Sequence, residues 1–148
     1  MATNSTAISY PTQAATSPKN LLVVLGRVFF AAIFVLSGPG HFSNHSIGYG
    51  ASQGVPLASI AVPFSGLIAM AGGLSVLLGY RAKLGAWLIV VFLVPVTLMM
   101  HRFWTVHDPV MAQMQMVMFM KNISILGGAL LISQFGAGPF SLDAWRSR

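Results

Sequence analysis

Four apolar blocks, each about as long as a bilayer's hydrocarbon layer is thick, divide this sequence and set its class before any motif is considered. They run from about Leu21 to Ser37, Leu57 to Tyr80, Leu84 to Met100 and Val110 to Phe135. An α-helix rises about 1.5 Å per residue, so roughly 20 residues cover a layer about 30 Å thick. Peptide groups find no water there, which leaves the helix as the form that satisfies its own backbone over such a run. Composition agrees: 55% of the 148 residues are hydrophobic and 7% are charged, whereas soluble domains are about a quarter charged. The expected fold is all-α, an integral membrane four-helix bundle over residues 19–136. A disordered N-terminal tail is expected before it at 1–18 and a cytoplasmic C-terminal tail after it at 137–148.

The segments between the blocks define the hairpins. The first basic residue is Lys19, directly before the first block, so there is no positive leader region and that block is expected to remain as a span. After it, GPGHFSNHSIGYGASQGVP is dense in turn residues and reads as an outer loop with a re-entrant or interfacial stretch. Gly66, Ala69, Gly72, Gly73 and Ser75 in the second block would let a neighbouring helix approach closely. Arg81 and Lys83 mark a short turn. Pro95 should free a carbonyl near Val91 and kink the third span, and Trp104 should anchor its end at the headgroups.

The net charge of +6 comes from eight Lys and Arg against Asp108 and Asp143. These cations stand singly between apolar runs and form no stripe, which argues against nucleic acid. Four spans put Lys19, Arg81, Lys83, Arg146 and Arg148 on one face, leaving Arg102 and Asp108 on the other. The excess of Lys and Arg on cytoplasmic loops then predicts N-in/C-in in a bacterial inner membrane. All four histidines, His41, His45, His101 and His107, fall on the outer face. Cysteine is absent, which excludes thiol and persulfide chemistry by this chain alone.

GRVFFAAIFVLSG in the first span, AGGLSVLLGY in the second, HRFW after the third and MKNISILGGALLI in the fourth resemble the DoxX family of small bacterial membrane proteins. The resemblance covers about Gly26 to Ile132. It implies a four-helix membrane subunit of an oxidoreductase complex, linked to quinone, with the redox centre supplied by a partner. It places the family's first-span arginine at Arg27 and its Lys-Asn pair at Lys121 and Asn122. The chain departs from that pattern at His41, where the family often has Lys, and at Ala69, where it often has Glu.

Lys121 is the residue that most demands explanation. It lies deep in the fourth span, and neither acid of the chain is inside a span to neutralise it or Arg27. A quinone head is one candidate partner, since its carbonyls accept hydrogen bonds from Lys121 and Asn122. Gln113 lies two turns earlier on nearly the same face, and Arg27 is a further candidate. The competing reading is a polar clasp of Lys121, Asn122 and Ser124 that serves assembly of a larger complex or self-association. The outer histidines could ligate a metal or haem, but they lack a carboxylate cluster. Met111, Met114, Met116, Met118 and Met120 do not converge on one point and read as adaptable packing. Nothing resembles a hydrolytic site or a phosphate loop.

Overall fold

The computed structural model describes residues 18–147, and all of their regular structure is helical. The tail expected over 1–18 lies outside the described residues except for Pro18, and so does Arg148. Six helices follow in order: α1 Pro18–Ser37, α2 Asn44–Ser52, α3 Ala58–Leu78, α4 Ala82–Met100, α5 Pro109–Phe135 and α6 Leu142–Arg146. Short 3₁₀ turns, Gly38–Phe42 and Phe103–Thr105, extend α1 and α4. Among the described residues, four segments are long and apolar enough to cross a membrane: Asn20–Phe42, Ala58–Leu78, Ala82–Thr105 and Pro109–Phe135.

The helix starts follow local chemistry. Ser43 opens α2 with its hydroxyl accepting from the Ser46 amide at 3.2 Å, and Asp108 opens α5 by accepting from the Met111 amide at 2.8 Å. Pro109 takes the first helical position, where a missing amide hydrogen removes no helical bond.

The spans pack in chain order, α1 on α3, α3 on α4 and α4 on α5. Phe34, Ala69, Val76, Ala86, Ile89, Phe92, Leu93 and Ala129 form their common core. Phe30 of α1 reaches α5, where a Cβ on Gly128 would lie 3.0 Å from its ring. Lipid tails are as apolar as leucine, so helices associate there through dispersion and close backbone approach. Gly72 supplies that approach between α3 and α4: a Cβ on it would stand 2.8 Å from the Gly85 carbonyl oxygen. The outward faces carry large apolar side chains such as Phe29, Leu131 and Phe135, which suit contact with lipid.

At the α3–α4 turn the chain closes α3 with a Schellman motif. The Tyr80 amide donates to the Ser75 carbonyl at 3.0 Å and the Gly79 amide to Val76 at 3.1 Å. Gly79 sits at φ 64°, and any Cβ there would collide with Arg27, Ser141 and Ala137. Residues 137–146, expected to leave the membrane as a tail, turn back over this hairpin. The Asp143 amide donates to the Gly79 carbonyl at 2.8 Å, and its carboxylate accepts from the amides of Arg81 at 2.7 Å and Ala82 at 3.0 Å. A residue 61 positions away thereby satisfies the exposed start of α4.

Candidate functional site

Away from that hairpin, α3 and α4 border a common cavity. Glycine and alanine hold them together near Gly72, Gly85 and Ala86, while Phe64, Ile68, Phe92, Val96 and Met99 occupy the facing positions farther along. The cavity measures about 420 Å³, within the usual size of small-molecule pockets. Its wall is apolar apart from His41 and Ser65, and the Ser65 hydroxyl already donates to the Val62 carbonyl at 2.7 Å.

The loop that leads into α3 borders the cavity. Val55 and Pro56 line it, and α2 lies on α3 with Gly50 so near Val62 that a Cβ would come within 2.6 Å of its methyl. Leu57 turns the chain into α3 through the left-handed region, at φ 48°, a conformation that costs an L-residue roughly 1–2 kcal/mol. Arg102 ties this loop to the end of α4 by donating to the Gln53 carbonyl at 2.9 Å, while its buried Nε meets no acceptor in the structure.

His41 is the chemically versatile group in the wall. Its ring meets the Phe92 ring edge-on at 5.7 Å, and its Cβ packs on Gly66, where an added Cβ would lie 2.6 Å away. Its Nδ1 lies 3.3 Å from the Ser37 carbonyl oxygen. A carbonyl only accepts, so this contact assigns the hydrogen of the neutral ring to Nδ1 and leaves Nε2 an acceptor. A ligand that pairs with the neutral imidazole must therefore bring a hydroxyl or N–H donor.

The hairpin end has different chemistry. Arg27 is 5% exposed and donates through Nη2 to the Phe140 carbonyl at 2.7 Å, with Nε and Nη1 buried and unpartnered. Asp143, whose carboxylate is bonded to the Arg81 and Ala82 amides, supplies a nearby opposite charge. An open cleft of about 530 Å³ beside it is lined by Arg81, Lys83, Ser141 and Asp143. Tyr80 lies under the guanidinium groups of Arg146, at 5.4 Å, and Arg81, at 5.8 Å. Hydrogen bonding from Arg146, then the charges of Arg81 and Arg146, hold its phenol below the ordinary tyrosine range against a small opposing effect of burial.

The residues expected to form one ligand site are not gathered. Arg27 is at the hairpin end, Asn122 is buried at 6% exposure, and Lys121 and Gln113 point outward from α5. The Lys121 ammonium donates to the Met118 sulfur at 3.5 Å. A thioether is a weak acceptor, whereas a cation at bilayer depth costs at least about 2.5–3.5 kcal/mol on insertion scales. The histidines are also apart: His101 Nδ1 pairs with Gln115 Oε1 at 2.8 Å, and His45 and His107 are exposed. No group of three potential metal-binding His, Cys, Asp or Glu occurs among the described residues. Sequence reasoning picked out His41 as one of four loop histidines and as a departure from the DoxX pattern, and missed Phe92 and Arg102 as residues of the cavity and its border. The turn-rich stretch before α3 was the available signal for that border.

The chain is 25% identical over 125 residues to the inner membrane protein YphA of Escherichia coli (strain K12), covering 83% of this chain and 89% of that protein. It is 28% identical over 123 residues to the inner membrane protein YqjF of the same organism, covering 82% and 88%. No solved structure matches. The profile that matches residues 8–148 is that of the SURF4 family, which overturns the DoxX resemblance. The motifs behind that resemblance are mostly glycine and apolar positions that helix packing in lipid requires of many small membrane proteins. A multi-pass inner-membrane protein with four helices among the described residues that are long and apolar enough to cross a membrane, the chain belongs to the SURF4 family.

Proposed function

We propose that this protein binds a quinol-type lipid in the cavity between α3 and α4 and presents it to a partner that carries the redox centre. The observation that carries the reading is the pairing of an apolar cavity of about 420 Å³ with one imidazole, His41, whose Nδ1 lies 3.3 Å from the Ser37 carbonyl oxygen. A quinol has a flat apolar ring, a hydrophobic chain and hydroxyl donors, and it reaches such a cavity through the membrane. His41 Nε2 accepts from one hydroxyl while Phe92 and Ile68 pack against the ring. Neither cavity described above is lined by Lys121, Asn122 or Gln113, which favours His41 as the anchor over those residues. The chain has no thiol to carry electrons, and this reading places the redox centre on the partner.

The test is direct binding of a short-chain quinol and the matching quinone to the purified protein in nanodiscs, for wild type, His41→Leu and Lys121→Met. A neutral hydrogen bond is worth about 0.5–1.5 kcal/mol, so His41→Leu should weaken quinol binding roughly three- to tenfold and Lys121→Met should leave it unchanged. Equal affinity in wild type and His41→Leu, or no binding by either, would sink the proposal.

We also infer that the spans form one bundle with both termini in the cytoplasm. Arg81, Lys83 and Arg146 stand at the hairpin end, where lysine and arginine are retained against translocation. His41 and the loop bordering the cavity then face the periplasm.

A further inference from the structure

We propose that the outward face of α5 around Lys121 is the docking site for a transmembrane helix of another protein, one that carries an aspartate or glutamate near the bilayer midplane. The proposal is independent of the cavity and of His41.

Its basis is the depth and isolation of one charge. Lys121 lies about 18 Å along α5 from Pro109 and about 21 Å from Phe135. Headgroups begin about 15 Å from the midplane, too far for the lysine chain to carry its ammonium out of the hydrocarbon. Its recorded contact in the structure is the Met118 sulfur, and the side chain is otherwise exposed. Of the four spans α5 is the least covered, with 17% of its most apolar stretch buried. Gln113, Met114, Val117 and Ser124 lie on the same exposed face as Lys121. The face therefore offers a central cation, apolar and adaptable contacts around it and two polar groups.

Charge complementarity names the occupant. Asp108 caps the start of α5 and Asp143 is held at the α3–α4 hairpin, so both acids of the chain are at helix ends and already bonded. A second copy brings no carboxylate to the depth of Lys121, and a lipid phosphate is confined to the headgroup layer. An acidic side chain in a partner span meets both requirements. In hydrocarbon the pair is a strong attraction that water does not screen.

The experiment measures energy transfer in vesicles between the donor-labelled full-length protein and acceptor-labelled synthetic helices. The helices are leucine-rich, with Glu, Gln or Leu at the central position, or with Glu near one end. Wild type should associate with the central-Glu helix at least tenfold more tightly than with the others. Lys121→Met should abolish that preference, while Lys121→Arg and His41→Leu should keep it. Circular dichroism shows that each variant is folded. Equal association with the central-Leu helix, or an unchanged preference in Lys121→Met, overturns the proposal. A Lys121-dependent effect seen only with phosphatidylglycerol assigns the residue to lipid. A Lys121-dependent association between two copies that matches the central-Glu helix assigns it to self-association. Either result overturns the proposal too.

Discussion

At the scale of single residues, the two intramembrane cations have opposite solutions. Arg27 is held inside the fold, with one bond to Phe140 and the charge of Asp143 nearby, whereas Lys121 is left facing outward. Their sequence contexts are alike, each a cation in an apolar run with no nearby acid. The difference comes from a segment more than a hundred residues after Arg27, which spacing along the chain cannot reveal. Asp143 does work similar to a helix-capping residue, accepting from two amides at the start of α4. Loss of such a cap costs about 0.5–2 kcal/mol. Asp143→Ala should lower the melting temperature in detergent and expose the bond after Arg81 to trypsin, whereas Asp143→Asn should have the smaller effect. Unchanged proteolysis in Asp143→Ala would show that the carboxylate does not hold the turn.

Elements divide by how much of their structure is written in local pattern. The four spans were legible because length and hydropathy alone specify them, and the glycines of α3 marked its close contact. The cavity was not legible, since it arises from the change from small to large residues along two helices whose register is set by packing. Helix α2 was obscured by its turn-rich composition, although Ser43 gives it an ordinary helix start. The family resemblance failed for a related reason: packing motifs report that helices touch and say little about lineage. Gly72 offers a test of the packing, because its Cβ space is filled by the Gly85 carbonyl and Ile89, while nothing lies within 4 Å of a Cβ on Gly127. Overfilling a close contact costs roughly 1–3 kcal/mol. Gly72→Leu should destabilise the protein by about that amount in thermal unfolding, and Gly127→Ala should be neutral or slightly stabilising. A neutral Gly72→Leu would mean that α3 and α4 are not held by this contact.

For the whole molecule, the absence of native cysteine makes orientation simple to read. His45→Cys should react with a membrane-impermeant maleimide in intact spheroplasts, and Lys83→Cys should react only after the membrane is opened. The reverse pattern would invert the proposed topology and turn the His41 cavity toward the cytoplasm. The return of the C-terminal segment onto the α3–α4 hairpin also has a consequence in time. Asp143 follows Arg81 by 62 residues, and synthesis proceeds at about 5–20 residues per second, so roughly 3–12 s separate the two. During that interval α3 and α4 can already have left the translocon with the start of α4 uncapped. In the proposed topology this contact is added from the ribosome's side of the membrane after the second hairpin has followed, and the hairpin's full rigidity belongs to the finished chain.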